Sequence, residues 1–242
     1  MLFGAATDIG KRRRINEDSM IIGRNSDYPY IAVADGMGGH NAGDMASSMA
    51  VEAIEGHIES NMTGKLDYVE ASEVVRHAFI MANSKIYTYS KNHYKIMGMG
   101  TTATLAMVYG DMLITAHVGD SRAYIVKEDR ITQITRDHSY VQELLQRGEI
   151  TPEQAKNHPQ RNYITRAVGV EDSLKVDIGI RQYGGEKILV CSDGLTNVVS
   201  ENEIFEILNA EPDLDKAAKL LIDKANEFGG ADNITAVLME KE

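Results

Sequence analysis

Ile31-Ala32-Val33-Ala34-Asp35-Gly36-Met37-Gly38-Gly39-His40 is an apolar run with an aspartate at its end and a glycine-rich turn behind it. A short apolar run bounded by turn residues reads as a strand buried on both faces. The construction returns three times. Ile114–Val118 is followed by Gly119-Asp120, Ile188–Ser192 by Asp193-Gly194, and Asp232-Asn233 stands immediately before Ile234–Met239. A carboxylate inside a buried strand is costly unless it is paired or bound to metal, so each is placed at a strand tip. Sheets bring strand ends together, and several such tips can form one cluster of carboxylates without enough cations among them. That is a site for hard divalent ions, Mg²⁺ or Mn²⁺. A lone Asp-Gly reads more readily as a turn than as a site; the recurrence is what points to a site.

Working outward, strands are expected near Leu2–Ala6, Ser19–Gly23 and Tyr30–Ala34. Residues 42–60 read as a helix, with Ala46, Met49, Ala50, Ala53, Ile54, His57 and Ile58 on one stripe, and residues 69–92 repeat the pattern with Val75, Ala78, Phe79, Ala82 and Ile86. The period then changes to two. Thr102–Tyr109 and Met112–Val118 form a hairpin around Gly110-Asp111, and Ser121–Val126 with Arg130–Ile134 another. Ser139–Arg147 reads as a short helix stopped by Gly148, and Thr151-Pro152-Glu153-Gln154 as a capping box with proline at the first helical position. Lys187–Cys191 is a strand. Ser200 and Glu203 open a helix to about Asn209, Asp213–Phe228 is another, and Ile234–Met239 closes the chain. This order predicts an α+β fold, with helices packed on antiparallel sheets.

Composition narrows the function. The 242 residues carry a net charge of −11 and are 43% hydrophobic and 25% charged, which is globular composition. The acidic balance argues against nucleic acid as the main partner. Apolar stretches of about five residues rule out a spanning helix, which needs roughly 18. The basic cluster Lys11–Arg14 follows a very short apolar run, the reverse of a signal peptide, so a cytoplasmic protein is expected. Cys191 is the only cysteine and excludes an intrachain disulfide; it sits inside an apolar strand and reads as core. No CxxC or HExxH pattern supports zinc, and Asp35–His40 lacks the Lys-Ser/Thr ending of a P-loop.

The run Arg13-Arg14-Ile15-Asn16-Glu17-Asp18 is either a solvated charge run or a guanidinium for phosphate beside carboxylates for metal. At this point the chain resembles the metal-dependent protein phosphatases of type 2C, the PPM family, and most closely its small bacterial members. The blocks carrying the resemblance are Arg13-x-x-Asn16-Glu17-Asp18-Ser19, Asp35-Gly36-Met37-Gly38-Gly39-His40, Gly100-Thr101-Thr102-Ala103, Val118-Gly119-Asp120-Ser121-Arg122, Asp137-His138-Ser139, Ile164-Thr165-Arg166-Ala167-Val168-Gly169, Cys191-Ser192-Asp193-Gly194-Leu195 and Gly230-Ala231-Asp232-Asn233-Ile234-Thr235. They run in family order over nearly the whole chain.

The resemblance implies a single catalytic domain, residues 1–242. Its fold is a central β-sandwich of two antiparallel sheets flanked by helix pairs on both outer faces (α-β-β-α), with a flap subdomain at about 139–166. It implies a protein serine/threonine phosphatase in which a metal-bridging hydroxide attacks phosphoserine or phosphothreonine directly, opposing a bacterial serine/threonine kinase. Asp35 would bridge two Mn²⁺ or Mg²⁺ ions, and Gly36 would offer its carbonyl to the second. Asp193 and Asp232 would hold the first ion, and Glu17 would reach the second through water. Asp120, with Asp193, would hold a third, weaker ion. Arg13 would bind the substrate phosphate, with Arg12 or Arg14 as possible helpers, and Asp18 and Asn233 would support the ligands. Many eukaryotic members have His after the Asp-Gly; here it is Met37, as in bacterial relatives. His40 is then either the general acid or a loop residue ordering the glycine turn. Thr101 and Thr102 read as strand packing with hydroxyl bonds near the site. The partners implied are phosphorylated proteins and a kinase, with no nucleic acid and no membrane insertion, and the expected state is a monomer. A phosphoprotein-binding module without catalysis would be expected to lack metal ligands, whereas Asp35, Asp120, Asp193 and Asp232 are all present.

Overall fold

A computed structural model describes residues 1–38 and 42–242. Among these, strands β1 (Leu2–Asp8), β2 (Asp18–Gly23) and β3 (Tyr30–Met37) precede helices α1 (Ala42–Asn61) and α2 (Tyr68–Asn92). Then come β4 (Gly100–Thr101), β5 (Ala103–Tyr109), β6 (Met112–Val118), β7 (Arg122–Val126) and β8 (Ile131–Gln133), and the short helices α3 (Tyr140–Gln146) and α4 (Pro152–Lys156). β9 (Asp177–Gln182), β10 (Lys187–Cys191), α5 (Asp193–Thr196), α6 (Glu201–Ala210), α7 (Leu214–Glu227) and β11 (Ile234–Glu240) complete the order.

The strands make two antiparallel sheets, β1-β11-β10-β7-β8 and β2-β3-β5-β6-β9, with β4 joined to β3. Strand alternation divides the core into three layers. Ile31 and Val33, Ala106 and Val108, Ile188 and Val190, and Val237 and Met239 meet between the sheets. The alternate residues face outward and are buried as well. Tyr30, Ala32, Leu105 and Met107 pack under α1 and α2, and Leu189, Cys191, Ala236 and Leu238 under α6 and α7. Strands buried on both sides have no polar face, which is why they read as continuous apolar runs. The four-layer α-β-β-α arrangement expected from the resemblance is therefore observed.

Local chemistry fixes the helices. Asp67 accepts from the Val69 and Glu70 amides while Glu70 Oε2 accepts from the Asp67 amide, a full capping box at the start of α2. Thr151 with Gln154, and Ser200 with Glu203, cap α4 and α6 in the same way. α7 begins directly on β1, and a Cβ at Gly4 would collide with the Leu214 backbone. Segment 139–166 projects between β8 and β9. Its base is stitched by the Ser139–Ile164 bridge and by the Tyr140 amide on the Tyr163 carbonyl at 2.9 Å.

Three features depart from the sequence reading. β3 does not stop at Ala34 but runs through Asp35 and Gly36 to Met37, because Gly36 pairs with Thr101 and Met37 with Gly100. β9 has no counterpart in the sequence reading. It is an edge strand, Asp-Ile-Gly-Ile-Arg-Gln, with no apolar run, and its pairing to β6 carries it. α5 is a single turn, too short for a periodic signal.

Candidate metal centre

At one end of the sandwich the strand tips converge. Asp35 lies in β3 opposite Asp18 in β2. The Asp35 backbone is woven into its surroundings: its amide donates to Thr102 Oγ1 at 2.9 Å, and its carbonyl accepts from the Thr102 amide at 2.8 Å and from Thr101 Oγ1 at 2.9 Å. The hydroxyls of Thr101 and Thr102 thus make the hydrogen bonds expected of them. Asp120 follows β6 on a turn where Gly119 has φ +112°, a left-handed value suited to glycine. Asp193 is the first residue of α5, at the end of β10, and Asp232 is in the turn before β11. Asp193 Oδ2 accepts from Asn197 Nδ2 at 2.9 Å.

These carboxylates press on one another. Burial, then repulsion from Asp18, Asp193, Asp120 and Asp232, raises the Asp35 pKa well above the usual carboxylate range. Burial and the Asp193 charge raise Asp120 in the same way. Asp193 is raised by burial and by Asp232. Asp18 is pushed up to about 6, chiefly by burial, although Thr235 Oγ1 at 2.6 Å and Ser192 Oγ at 2.8 Å both donate to its Oδ2. Its Oδ1, like Oδ1 of Asp120, is buried without a hydrogen-bond partner.

The N-terminal loop closes the rim. Asn233 Oδ1 accepts from the Glu17 amide at 2.9 Å, and its Nδ2 donates to the carbonyls of Ile9 and Ile15 at 2.9 and 3.0 Å. One amide side chain therefore holds residues 9–17 against β11. Arg13 Nη2 donates to Asp232 Oδ2 at 2.8 Å, and Nη1 lies 3.5 Å from Glu17 Oε2. Glu17 is itself raised in pKa by burial, with Arg13 opposing. Gly36 donates its amide to the Glu17 carbonyl at 3.1 Å, and a Cβ there would collide with the Gly43 backbone. Only glycine lets β3, α1 and the Glu17 loop meet so closely.

The structure thus gathers Asp18, Asp35, Asp120, Asp193 and Asp232, with Glu17, Arg13, Gly36 and Asn233 at the rim. His40 lies outside the described residues. Asp44 of α1, whose charge also raises Glu17, was not singled out in the sequence; nor were Ser192 and Thr235, which the sequence marks only as neighbours of the tip aspartates. Among the described residues, no three His, Cys, Asp or Glu side chains close into a ready cage around one ion. A hard cation does not need one. Mg²⁺ commonly takes one or two carboxylates and completes its shell with water, and Ca²⁺-type sites add backbone carbonyls. Buried carboxylates raised by mutual repulsion, two orphan oxygens and an all-oxygen donor set fit divalent cations of that class.

The chain is also similar to known proteins. The family model described as Protein phosphatase 2C matches residues 10–224. The serine/threonine phosphatase stp of Listeria monocytogenes is 42% identical over 238 residues, 98% of this chain and 94% of that protein. The protein phosphatase PhpP of Streptococcus pneumoniae is 38% identical over 237 residues, covering 96% and 94%. Among solved structures, the serine/threonine phosphatase Stp1 from Staphylococcus aureus superposes with a TM-score of 0.93 at 35% identity, over 99% of this chain and 94% of that one. The catalytic domain of the serine/threonine protein phosphatase PstP in complex with 2 manganese ions gives 0.85 at 34% identity, over 99% and 97%.

Proposed function

The chain belongs to the protein phosphatase 2C family and is a metal-dependent protein serine/threonine phosphatase; from that premise we propose how its residues do the work. Asp35, with the Gly36 carbonyl, would hold the two core ions, Mn²⁺ or Mg²⁺. Asp193 and Asp232 would hold one of them, Glu17 would reach the other through water, and Asp120 with Asp193 would hold a third, weaker ion. When bound, ions held there would supply positive charge to acidify a water and to balance the phosphoryl oxygens. Arg13 pairs with Asp232 and Glu17 in this structure; with those carboxylates taken up by ions, its planar fork would turn to the substrate phosphate, a geometry that a lysine would not reproduce. Asn233 keeps that arginine's loop in place. Asp18, gripped by Ser192 and Thr235, adds negative charge beside Asp35 and so would favour cation binding. The leaving serine or threonine oxygen needs a proton, and His40 is the candidate general acid that the sequence offers, its alternative role being to order the glycine turn.

The observation that carries this reading is the cluster of tip aspartates raised by burial and by one another. We place the enzyme in the cytoplasm as a monomer acting on phosphorylated proteins, where it opposes a serine/threonine kinase. No helix among the described residues is long and apolar enough to cross a membrane. The test is phosphate release from a phosphothreonine peptide with Mn²⁺ and with EDTA, in wild type and Asp193→Ala. Turnover in Mn²⁺ that EDTA abolishes, and a loss on the order of 10³-fold in the variant, is expected. Ordinary turnover by Asp193→Ala would refute the assigned site.

A further inference from the structure

Lys11-Arg12-Arg13-Arg14 is a concentrated basic run in a chain of net charge −11. Its loop is held from both sides. The Lys11 amide donates to the Gly230 carbonyl at 2.7 Å, and the Gly10 amide to Asp8 Oδ1 at 2.7 Å. Asn233 grips the flanking carbonyls of Ile9 and Ile15. Gly10 has φ +77°, and a Cβ there would run into the Asp232 carbonyl. The run is therefore fixed against the residue that heads β11.

Its members divide by role. Arg13 is engaged by Asp232 and Glu17. Arg12 and Arg14 are exposed, as is Lys11, and among the described residues their side chains make no ion pair and no hydrogen bond. Many other surface cations have acidic neighbours: Lys219 is 2.9 Å from Asp223, Arg76 is 3.1 Å from Glu73, and Lys216 is 3.4 Å from Asp213. An unpaired guanidinium keeps its charge for an incoming anion, because no internal pair has to be broken first.

We infer that Lys11, Arg12 and Arg14 form a recognition rim that selects phosphorylated segments carrying acidic side chains close to the phosphoserine or phosphothreonine. This rests on the reading that Arg13 and the carboxylate cluster are the reacting centre. An extended peptide advances about 3.3 Å per residue. A segment whose phosphate lies at Arg13 therefore carries its next few side chains past the residues on either side of Arg13. Bound ions would neutralise the carboxylates of the centre and leave Arg13 to the phosphate, whereas the rim's charge has no such partner. The rim thus sets a local positive field on an otherwise acidic surface, attracting acidic flanks and repelling basic ones.

The experiment uses phosphothreonine peptides of one length with Glu, Ala or Lys at the flanking positions, assayed in Mn²⁺ at low and high ionic strength. For wild type, kcat/KM should be on the order of tenfold higher with Glu than with Lys flanks. The difference should lie in KM and shrink as salt screens exposed charges. Arg12→Glu/Arg14→Glu should invert the Glu-to-Lys ratio, and Arg12→Lys/Arg14→Lys should keep it. The ratio is internal to each variant, so a general loss of activity does not alter its meaning. A wild-type ratio near one, or a ratio unchanged by charge reversal, would overturn the inference. Asp193→Ala separates the two failures. If that variant is inactive and the peptides are not discriminated, the rim alone is wrong. If it turns over peptide normally, the reacting centre lies elsewhere and the rim falls with it.

Discussion

Two acidic regions of this molecule are built on opposite principles. At the strand tips, Asp18, Asp35, Asp120 and Asp193 face one another, and burial with mutual repulsion raises each pKa. At the base of the 139–166 segment Asp137 and Asp177 each have an arginine partner. Arg122 Nη2 lies 2.6 Å from Asp137 Oδ2, and its Nε is 3.0 Å from both oxygens of that carboxylate. Asp177 receives Arg166 Nη1 at 2.7 Å and His138 Nε2 at 3.1 Å. Burial alone would raise Asp177, but His138 and Arg166 outweigh it and hold the carboxyl below its usual range. The second region is complete within the chain and serves the fold. The first is electrostatically incomplete, and on the proposed reading an external cation would complete it.

The two regions should therefore answer substitution in opposite ways. Asp35→Asn should cut turnover on the order of 10³-fold, yet in EDTA it should unfold at a higher temperature than wild type, because one charge leaves a self-repelling cluster. Lower thermal stability in EDTA would erase the contrast. Arg122→Ala should act the other way, costing about 3–5 kcal/mol in urea unfolding by stranding the Asp137 charge. A cost below about 1 kcal/mol would mean that the pair is solvated and dispensable.

The completed region also carries a pH signature. His117 stacks near His138, with ring centroids 4.7 Å apart, and hydrogen-bonds Thr104 Oγ1 and the Arg136 carbonyl. Burial and the neighbouring His138 lower its pKa to about 4, against an ordinary 6.5. The unfolded chain thus takes up a proton near pH 6.5 that the folded chain refuses until about pH 4. The stability owed to the neutral ring is whole above pH 6.5 and declines as pH falls toward 4, by up to about 3 kcal/mol. The strand-tip carboxylates slope the other way, so the signature is the difference in urea midpoints between wild type and His117→Asn, which should narrow or reverse against the wild type as pH falls from 7 to 4. Equal slopes in the two proteins would rule it out.

The comparison also explains what the sequence could convey. Strands buried on both faces were legible as apolar runs, and the acids at their ends as a recurring punctuation. That Asp35 lies within β3 rather than beyond it was not legible, because Gly36 and Met37 pair with Thr101 and Gly100, more than sixty residues away. β9 was illegible for the same reason: its partner β6 supplies what Asp-Ile-Gly-Ile-Arg-Gln lacks. The tip aspartates announced themselves through neighbouring apolar residues. The hydroxyls of Ser192 and Thr235, and the charge of Asp44, matter only through contacts that the fold creates.

The most direct test is calorimetric titration of Mn²⁺ into the metal-stripped protein, in wild type and in Asp193→Ala. The predicted result is two tightly bound ions per wild-type chain, with heat-induced unfolding moved upward as binding stabilises the folded state, and loss of at least one of those ions in the variant. A wild-type chain that binds no Mn²⁺, or an Asp193→Ala chain that binds it as wild type does, would contradict the claim that the strand-tip carboxylates are completed by metal.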